Sequence, residues 1–416
     1  MKVAVLGLGM EGKNAVKVLL DYGHQVYASD LNENIVINEF GNANLEFDLG
    51  FHDHGKINSA DAVVVSPSLW GKKIVKEIIS DHKMLSDILT AHKSVLTIGV
   101  TGTNGKTTTC YMLRDILEKS GLNVLLGGNA GGGFEGYTKV ILEASKREYD
   151  IILVEVCDMT LDFASHVFDF DMVLVTNMGS DHMDHHLTLE NYRKSVCKFL
   201  NGKKQAFLNE NDILLKICAD CANETFFFGP YTGKLKLFGA FNRENASGAS
   251  KVAEILKIPT KLIEDVLSNF TIVEGRTTTI SYKGAQIIIG KTDNPDAAAA
   301  VFSEAHVDVI IVGTPRKGEI CRYNILKEVS NANPSLVVLF PGLDNTTNIA
   351  LKILRDEGYV GEVCIVTKVT DIVDLTVKCT AKYKNIFIGG NGQEKIMCLQ
   401  KTLSELSNCN NNHGST

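Results

Sequence analysis

The segment Gly99-Val100-Thr101-Gly102-Thr103-Asn104-Gly105-Lys106-Thr107-Thr108-Thr109 has the residues needed to hold a nucleoside triphosphate. Its glycines let backbone N–H groups converge on phosphate oxygens, and a helix starting at its end adds a favourable dipole. Gly102, Thr103, Asn104, Gly105, Lys106, Thr107 and Thr108 form the expected ATP cradle. Lys106 would reach the β and γ phosphates, and the Thr107 hydroxyl would ligate Mg²⁺. The general phosphate-loop spacing places its first glycine at Val100, so this loop is a variant, Gly-x-x-Gly-x-Asn-Gly-Lys-Thr. Hard cations take oxygen ligands, and Glu155 and Asp158 at the end of an apolar run offer carboxylates.

His182, His185 and His186 read either as metal ligands or as surface residues. Zinc suits three histidines, but no cysteine stands near them, and magnesium at His182 is the stronger reading. Near the N-terminus, Gly7-Leu8-Gly9-Met10-Glu11-Gly12 follows an apolar run, with Asp30 at the end of the next. Taken alone this is a dinucleotide fingerprint, so an NAD-dependent oxidoreductase competes with recognition of another phosphate-bearing substrate, and with a purely structural turn. The segment before the ATP loop is too short for a complete six-strand dinucleotide domain. Cys218 and Cys221 have the spacing of a metal or redox pair, but no second pair accompanies them, and they are expected to be structural.

The elements that position these residues are short β-branched runs alternating with helical patterns, which predict parallel sheets with crossover helices. Strands are expected at Lys2–Leu6, Gln25–Ala28, Ala62–Val65, Val95–Val100, Ile151–Val156, Met172–Thr176, Gln286–Ile289, Val307–Val312, Leu336–Phe340, Glu362–Val366 and Asn385–Ile388. Helices are expected at Lys13–Tyr22, Thr107–Lys119 and Thr260–Asn269. The fold class is α/β in three domains. Residues 1–93 form a Rossmann-like substrate domain, 94–274 a central P-loop ATPase-type parallel sheet, and 275–416 a C-terminal Rossmann-like domain. The polar stretch from Asn408 to Thr416 is expected to fray.

Composition excludes other classes. Of the 416 residues, 44% are hydrophobic and 22% charged, which suits a folded globular chain and not a disordered one. A net charge of −7 argues against a broad nucleic-acid surface. The apolar runs are strand-sized, far below the roughly 20 residues of a membrane helix. The strand pattern begins at Lys2, so no signal peptide is expected, and the ten cysteines are too scattered for a disulfide framework. A cytoplasmic monomer acting on small molecules, without nucleic acid or membrane as partner, is the expectation.

The variant loop resembles the ATP loop of the Mur ligases and the related folylpolyglutamate synthases, which form amide bonds by first phosphorylating a carboxylate. Further segments are similar to that family in its order. Gly128-Asn129-Ala130-Gly131 resembles its Gly-Asn-x-Gly turn, and Glu155 its acidic magnesium ligand. Thr176-Asn177-Met178-Gly179-Ser180-Asp181-His182-Met183-Asp184 resembles its Asn-x-x-x-Asp-His segment, whose histidine binds a second magnesium. Asn242 and Asn245 resemble its adenine contacts, and Gly275-Arg276 the pair that meets the ribose and phosphates. The N-terminal turn is similar to the uridine-diphosphate site of the glutamate-adding member, with Ser66-Pro67-Ser68 resembling its Ser-Pro-Gly turn.

The resemblance implies an ATP- and Mg²⁺-dependent acid–amino-acid ligase, forming an amide through an acyl phosphate in cell-wall peptide precursor synthesis. It makes Lys106, Glu155, His182 and Asn129 catalytic; Thr107, Glu155 and His182 metal ligands; and Asn242, Asn245 and Arg276 nucleotide contacts. Gly9, Met10, Asp30, Ser66 and Lys291 fall at substrate positions.

Departures are visible too. Family members carry a carbamylated lysine four residues after a tyrosine. Here Tyr192 is followed by Val196, with Lys194 and Lys198 out of register. Ile289-Gly290-Lys291-Thr292-Asp293-Asn294 keeps only Lys291 and Asn294 of the family's Asp-Ser-Lys-x-Thr-Asn. A pseudomurein-type or cofactor-pathway ligase fits such departures. A non-catalytic nucleotide-binding regulator is the remaining alternative, and the presence of Glu155 and His182 argues against it.

Overall fold

The computed structural model describes residues 1–36, 43–271 and 273–413, and the end of the polar tail, 414–416, lies outside them. Its α/β class is the one expected, built on three sheets. Two compact units carry them. The first comprises Met1–Asn177, Tyr192–Gly229 and Ala246–Val266; the second comprises Met178–Asn191, Pro230–Asn245 and the chain from Leu267 onward.

The first unit holds two parallel sheets. β1 (Lys2–Leu6), β2 (Gln25–Asp30), β3 (Leu45–Leu49) and β4 (Ala62–Val65) lie in the order β3-β2-β1-β4. The central strand β1 is apolar and buried along its length after Lys2, as a strand covered on both faces must be. The other sheet orders β5 (Leu96–Thr101), β6 (Val124–Gly128), β7 (Ile151–Glu155), β8 (Met172–Val175), β9 (Gln205–Asn209) and β10 (Glu224–Phe228) as β10-β9-β8-β5-β7-β6. Every pairing in it is parallel. β5 lies between β7 and β8, so the carboxyl ends of β7 and β8 flank the loop that leaves β5. Ligands of open parallel sheets collect at that edge.

The second unit holds a six-stranded sheet of order β11-β12-β16-β13-β14-β15. Its strands are β11 (Thr278–Tyr282), β12 (Ala285–Ile289), β13 (Val309–Gly313), β14 (Leu336–Phe340), β15 (Glu362–Ile365) and β16 (Asn385–Gly390). β11 pairs antiparallel with β12, and the rest are parallel. Lys283 and Gly284 join that hairpin with φ of 48° and 77°, the two positive values that a tight two-residue turn needs. Apolar side chains pack both faces, Ile287, Ile289, Val309 and Ile311 on one and Val312, Val337, Leu339 and Phe387 on the other.

The chain end corrects one expectation. Gln393–His413 is a single helix, so the polar stretch from Asn408 continues a helix through His413. Among the described residues no helix is long and apolar enough to cross a membrane.

Candidate active site

In the first unit the ATP loop leaves β5 and enters the helix Lys106–Lys119. Gly105, at the N-cap, has φ 85°, and Gly102 has φ 129°. A Cβ on Gly102 would stand 2.2 Å from the Thr176 hydroxyl, so the loop closes on β8 only because that residue is glycine. Asn177 pins the loop: its carbonyl accepts from Thr103 N–H and its side-chain oxygen from Asn104 N–H, each at 2.9 Å. The Thr176 hydroxyl donates to the Asn104 carbonyl at 2.6 Å. These contacts fix the loop before any ligand arrives, and they give Thr176 and Asn177 a job that sequence spacing did not reveal. Lys106 Nζ donates to the Gly102 and Thr103 carbonyls at 2.7 and 2.8 Å, which keeps the ammonium over the loop.

The Thr107 hydroxyl donates to Glu155 Oε2 at 2.6 Å, and Asn129 Nδ2 donates to Glu155 Oε1 at 2.9 Å. Glu155 ends β7 and is fully buried. A Cβ on Gly132 would stand 1.9 Å from Glu155 Oε1, so the turn after Asn129 leaves room for the carboxylate alone. A buried carboxylate beside a hydroxyl is an oxygen-donor pair that suits a hard cation. Asp158 is buried as well, at the start of the 3₁₀ turn Asp158–Thr160.

The N-terminal glycine turn also belongs to this unit. Gly7 has φ 87°, and a Cβ on Gly12 would stand 1.8 Å from the Gly7 carbonyl oxygen. The turn therefore requires both glycines. Asp30 braces it: Oδ2 accepts Leu8 N–H at 2.6 Å, and Oδ1 accepts Asn32 N–H at 2.8 Å. Ser66 is buried behind the turn, its hydroxyl 3.1 Å from that of Ser68 and 3.9 Å from the Cβ position of Gly9. Met10 opens the helix Met10–Asp21 and is exposed. Thus Gly9, Met10, Asp30 and Ser66 do come together.

Glu11 stands at a variable position of the same glycine motif, where spacing alone gives it no role. Its Oε1 accepts Ala130 N–H at 2.7 Å and its Oε2 accepts Tyr137 N–H at 3.4 Å. Burial pushes this carboxyl up to about 7; the two amides work against the rise, and the charge on Glu155 adds to it.

The helix Leu189–Leu200 carries the residues near the expected lysine register. Val196 is buried in the register where a lysine was sought. Lys198, the shifted alternative, is a surface residue whose Nζ lies 2.7 Å from Asp162 Oδ2. Cys218 approaches a third thiol, Cys197, at 2.7 Å. Burial raises both thiols above their ordinary range, which disfavours the reactive thiolate.

In the second unit His182 has a left-handed backbone, φ 55°, and caps the short helix Met183–His186. Asp181, buried beside it, accepts Arg322 Nε at 3.0 Å and Nη2 at 3.1 Å, a bidentate pair. Arg322 Nη2 also lies 3.2 Å from His182 Nε2. A guanidinium has donors and no acceptor, so Nε2 must accept and its lone pair faces Arg322. Nothing near His182 in the sequence announces Arg322.

Lys291 Nζ lies 3.4 Å from Asp293 Oδ2, and Arg322 Nη1 lies 3.3 Å from the same oxygen. Burial pushes the Asp293 carboxyl up, but Lys291 and Arg322 outweigh it and hold the group well below the usual carboxylate range. Asn294, expected to match a substrate motif, caps the helix Pro295–Glu304 by accepting Ala297 N–H at 2.9 Å. Asn242 and Asn245 are buried and joined at 3.2 Å. Gly275-Arg276 is held by Gln400, which accepts Gly275 N–H at 2.9 Å and donates to the Arg276 carbonyl at 3.1 Å.

A P-loop fixed at the edge of a parallel sheet, with a buried carboxylate and hydroxyl beside it, defines a nucleotide-dependent enzyme. Residues 100–267 match the Mur ligase middle domain. The chain is 26% identical over 441 residues to the UDP-N-acetylmuramoylalanine--D-glutamate ligase of Clostridioides difficile, covering 91% of this chain and 94% of that one. It is 30% identical over 228 residues to the ligase of the same name from Wolbachia pipientis, covering 52% of this chain and 42% of that one. A pseudomurein peptide ligase type C from Methanothermus fervidus shares the fold, with TM-score 0.59, 21% identity, and coverage of 97% and 99%. The chain carries a Mur ligase middle domain over residues 100–267 and is an ATP-dependent carbon–nitrogen ligase.

Proposed function

We propose that this ligase activates a substrate carboxylate as an acyl phosphate and couples it to the amine of an amino acid, in the synthesis of a cell-wall peptide precursor. The observation that carries the reading is the Thr107–Glu155 pair beside the P-loop, held by Asn129. A carboxylate is a poor electrophile because oxide would have to leave. Phosphorylation supplies a leaving group, and an amine then displaces phosphate. Phosphoryl transfer depends on positioning and charge neutralisation, which is what a lysine over the loop and a carboxylate at its edge provide. Mg²⁺, held by Thr107 and Glu155, would neutralise phosphate charge. Asn242, Asn245 and Arg276 would bind the nucleotide.

Residues 1–93 would recognise the carboxylate substrate by a nucleotide or other phosphate group, through Gly9, Met10, Asp30 and Ser66. Residues 94–274 would bind ATP, and 275–416 would bring the amino acid, with Lys291 facing substrate. The enzyme would act as a cytoplasmic monomer without nucleic-acid or membrane partners. The sequence relatives favour a uridine-diphosphate-linked substrate, and a pseudomurein precursor is the second reading, favoured by the departures at Gly290 and Val196. The test is ADP release with purified protein, ATP and Mg²⁺ across such carboxylates and amino acids. Release that requires one carboxylate and one amine together supports the reading; ATP turnover indifferent to both overturns it.

A further inference from the structure

We propose that Cys197 and Cys218 are a redox site: with a small-molecule disulfide as oxidant they close into a reversible bridge that weakens nucleotide binding at the ATP loop. The inference rests on the reading of Gly102–Thr108 as that loop. In the sequence, Cys218 and Cys221 form a close pair without a partner. The fold supplies one. The helix Leu189–Leu200 brings Cys197 Sγ to 2.7 Å from Cys218 Sγ, and Cys221, which ends the 3₁₀ turn Ala219–Cys221, shares a hydrogen bond with Cys197. Bonded sulfurs stand at about 2.05 Å, so a small closing movement joins the nearer pair.

Cys197 and Cys221 are half-buried, and Cys218 is buried. Burial raises each thiol, Cys221 to about 11, while the Arg193 guanidinium favours the thiolate at all three. Arg193 Nη1 donates to Cys197 Sγ at 3.6 Å, and a fixed positive charge there also disfavours a metal cation among the sulfurs. The thiolate fraction near neutral pH is small, so the pair answers a sustained change of redox poise and not a brief pulse. Exchange takes two steps. The Cys197 thiolate, on the partly exposed side, attacks one sulfur of RS–SR, whose S–S bond breaks as RS⁻ leaves. The Cys218 thiolate then attacks Cys197 Sγ, and the second RS⁻ leaves with its electron pair. The two cysteines lose two electrons and two protons, and the small disulfide becomes two RSH.

Both sides of the bridge lead to the ATP loop within the first unit. Cys197 shares its helix with Tyr192, whose hydroxyl accepts from Thr103 Oγ1 at 3.4 Å. The chain between Cys197 and Cys218 carries β9, whose last residue, Asn209, donates to the Thr176 carbonyl at 3.0 Å. The Thr176 hydroxyl in turn holds the Asn104 carbonyl. Tyr192 and Asn209 are buried, so neither can move without its neighbours. Closing the bridge draws the helix toward the segment that follows β9, and the displacement reaches Thr103 and Asn104 in the phosphate cradle. A disulfide of this kind in a reducing cytoplasm is transient and senses redox state.

The experiment equilibrates the full chain with glutathione and glutathione disulfide over a range of ratios, then alkylates the remaining thiols. Peptide mapping is needed because Cys398 and Cys409 are exposed and react as well. Cleavage before Asp220 separates Cys218 from Cys221. The map should join Cys197 to Cys218, and dithiothreitol should undo the link. Cys221→Ser should still form it, and Cys197→Ser should not. A non-hydrolysable ATP analogue should bind the bridged protein about fivefold or more weakly than the reduced protein, and Cys197→Ser should bind it equally before and after treatment. No Cys197–Cys218 link at any ratio, or a Cys197–Cys221 link in its place, overturns the proposal. So does stoichiometric Zn²⁺ on the reduced wild type that Cys197→Ser loses, or a bridged protein that binds the analogue as the reduced one does. A folded, reduced protein that does not bind the analogue overturns the reading of the ATP loop itself, so the two failures differ. The link and the two affinities are measured on the wild type, so they decide even where a serine variant does not fold.

Discussion

The Glu11 carboxylate accepts the backbone amide of Ala130 at 2.7 Å. Ala130 follows Asn129, and Asn129 in turn holds Glu155. The glycine turn of the first sheet is thus tied by one buried acid to the turn that holds the Glu155 carboxylate. Serine or threonine in that place would be too short to make both contacts.

That tie makes stability depend on pH. Burial raises the Glu11 carboxyl to about 7 in the folded chain, from 4.5. The folded state therefore holds a proton that the unfolded state has lost between those values. Its stabilising contribution is full below pH 4.5 and is lost as pH rises through 7. The shift corresponds to roughly 3 kcal/mol at most. Glu11→Gln should flatten this part of the curve, measured as Tm against pH from 4.5 to 7.5. An unchanged slope would show that Glu11 is ionised throughout.

Lys106→Ala should abolish ATP-dependent product formation while Tm stays within a few degrees of the wild type. The ammonium contacts only the carbonyls of its own loop, at 2.7 and 2.8 Å, so its loss removes little packing. The rate should fall by about a hundredfold or more, the scale of losing one preorganised donor to developing charge. Near-normal turnover of folded Lys106→Ala protein would show that this loop is not the ATP site.

How far the sequence was legible depended on burial. β1 and β14 sit inside sheets and β4, at an edge, is buried along its whole length, so the apolar runs Lys2–Leu6, Ala62–Val65 and Leu336–Phe340 stand out. β3 and β10 are edge strands with exposed charges such as Glu46 and Glu224, and their pattern was not read as strand. β6 ends in Gly127-Gly128, which looks like a turn. The P-loop was legible because phosphate chemistry fixes local spacing, whereas Asn129 and the metal-ligand role of Glu155 came through the family resemblance. Arg322 was not: its partner Asp181 is 141 residues away, and only the fold brings them together. Glu11 was hidden for the same reason, its partners lying 119 and 126 residues on.

The first sheet should bind a phosphate-bearing substrate and not NAD. It has four strands in the order β3-β2-β1-β4, which lacks the second half of a dinucleotide fold. Titration calorimetry should show no heat with NAD and saturable heat with the phosphorylated substrate. A bulky replacement at Gly9, whose Cβ position is open to within 3.9 Å of Ser66 Oγ, should weaken the substrate at least tenfold without unfolding the sheet. Tight NAD binding lost in the same variant would reverse the assignment.

The route through an acyl phosphate can be followed by oxygen atoms. In that route a substrate carboxylate oxygen attacks the γ-phosphorus of ATP, and ADP leaves. The amine then attacks the acyl carbon, and the bridging oxygen departs with the phosphate. One carboxylate oxygen must therefore end in inorganic phosphate. With ¹⁸O in the carboxylate, mass spectrometry of the released phosphate should show one labelled oxygen per turnover. Glu155→Gln keeps the hydrogen bond from Thr107 but removes a charge from the proposed cation site, so it should slow the reaction by about a hundredfold or more and raise the Mg²⁺ concentration needed for half-maximal rate. The product that does form should still carry label in its phosphate, because the variant changes the cation and not the path. Unlabelled phosphate from the wild-type enzyme would mean that the carboxylate was never phosphorylated. The pairing of Thr107 with Glu155 would then serve ATP hydrolysis alone.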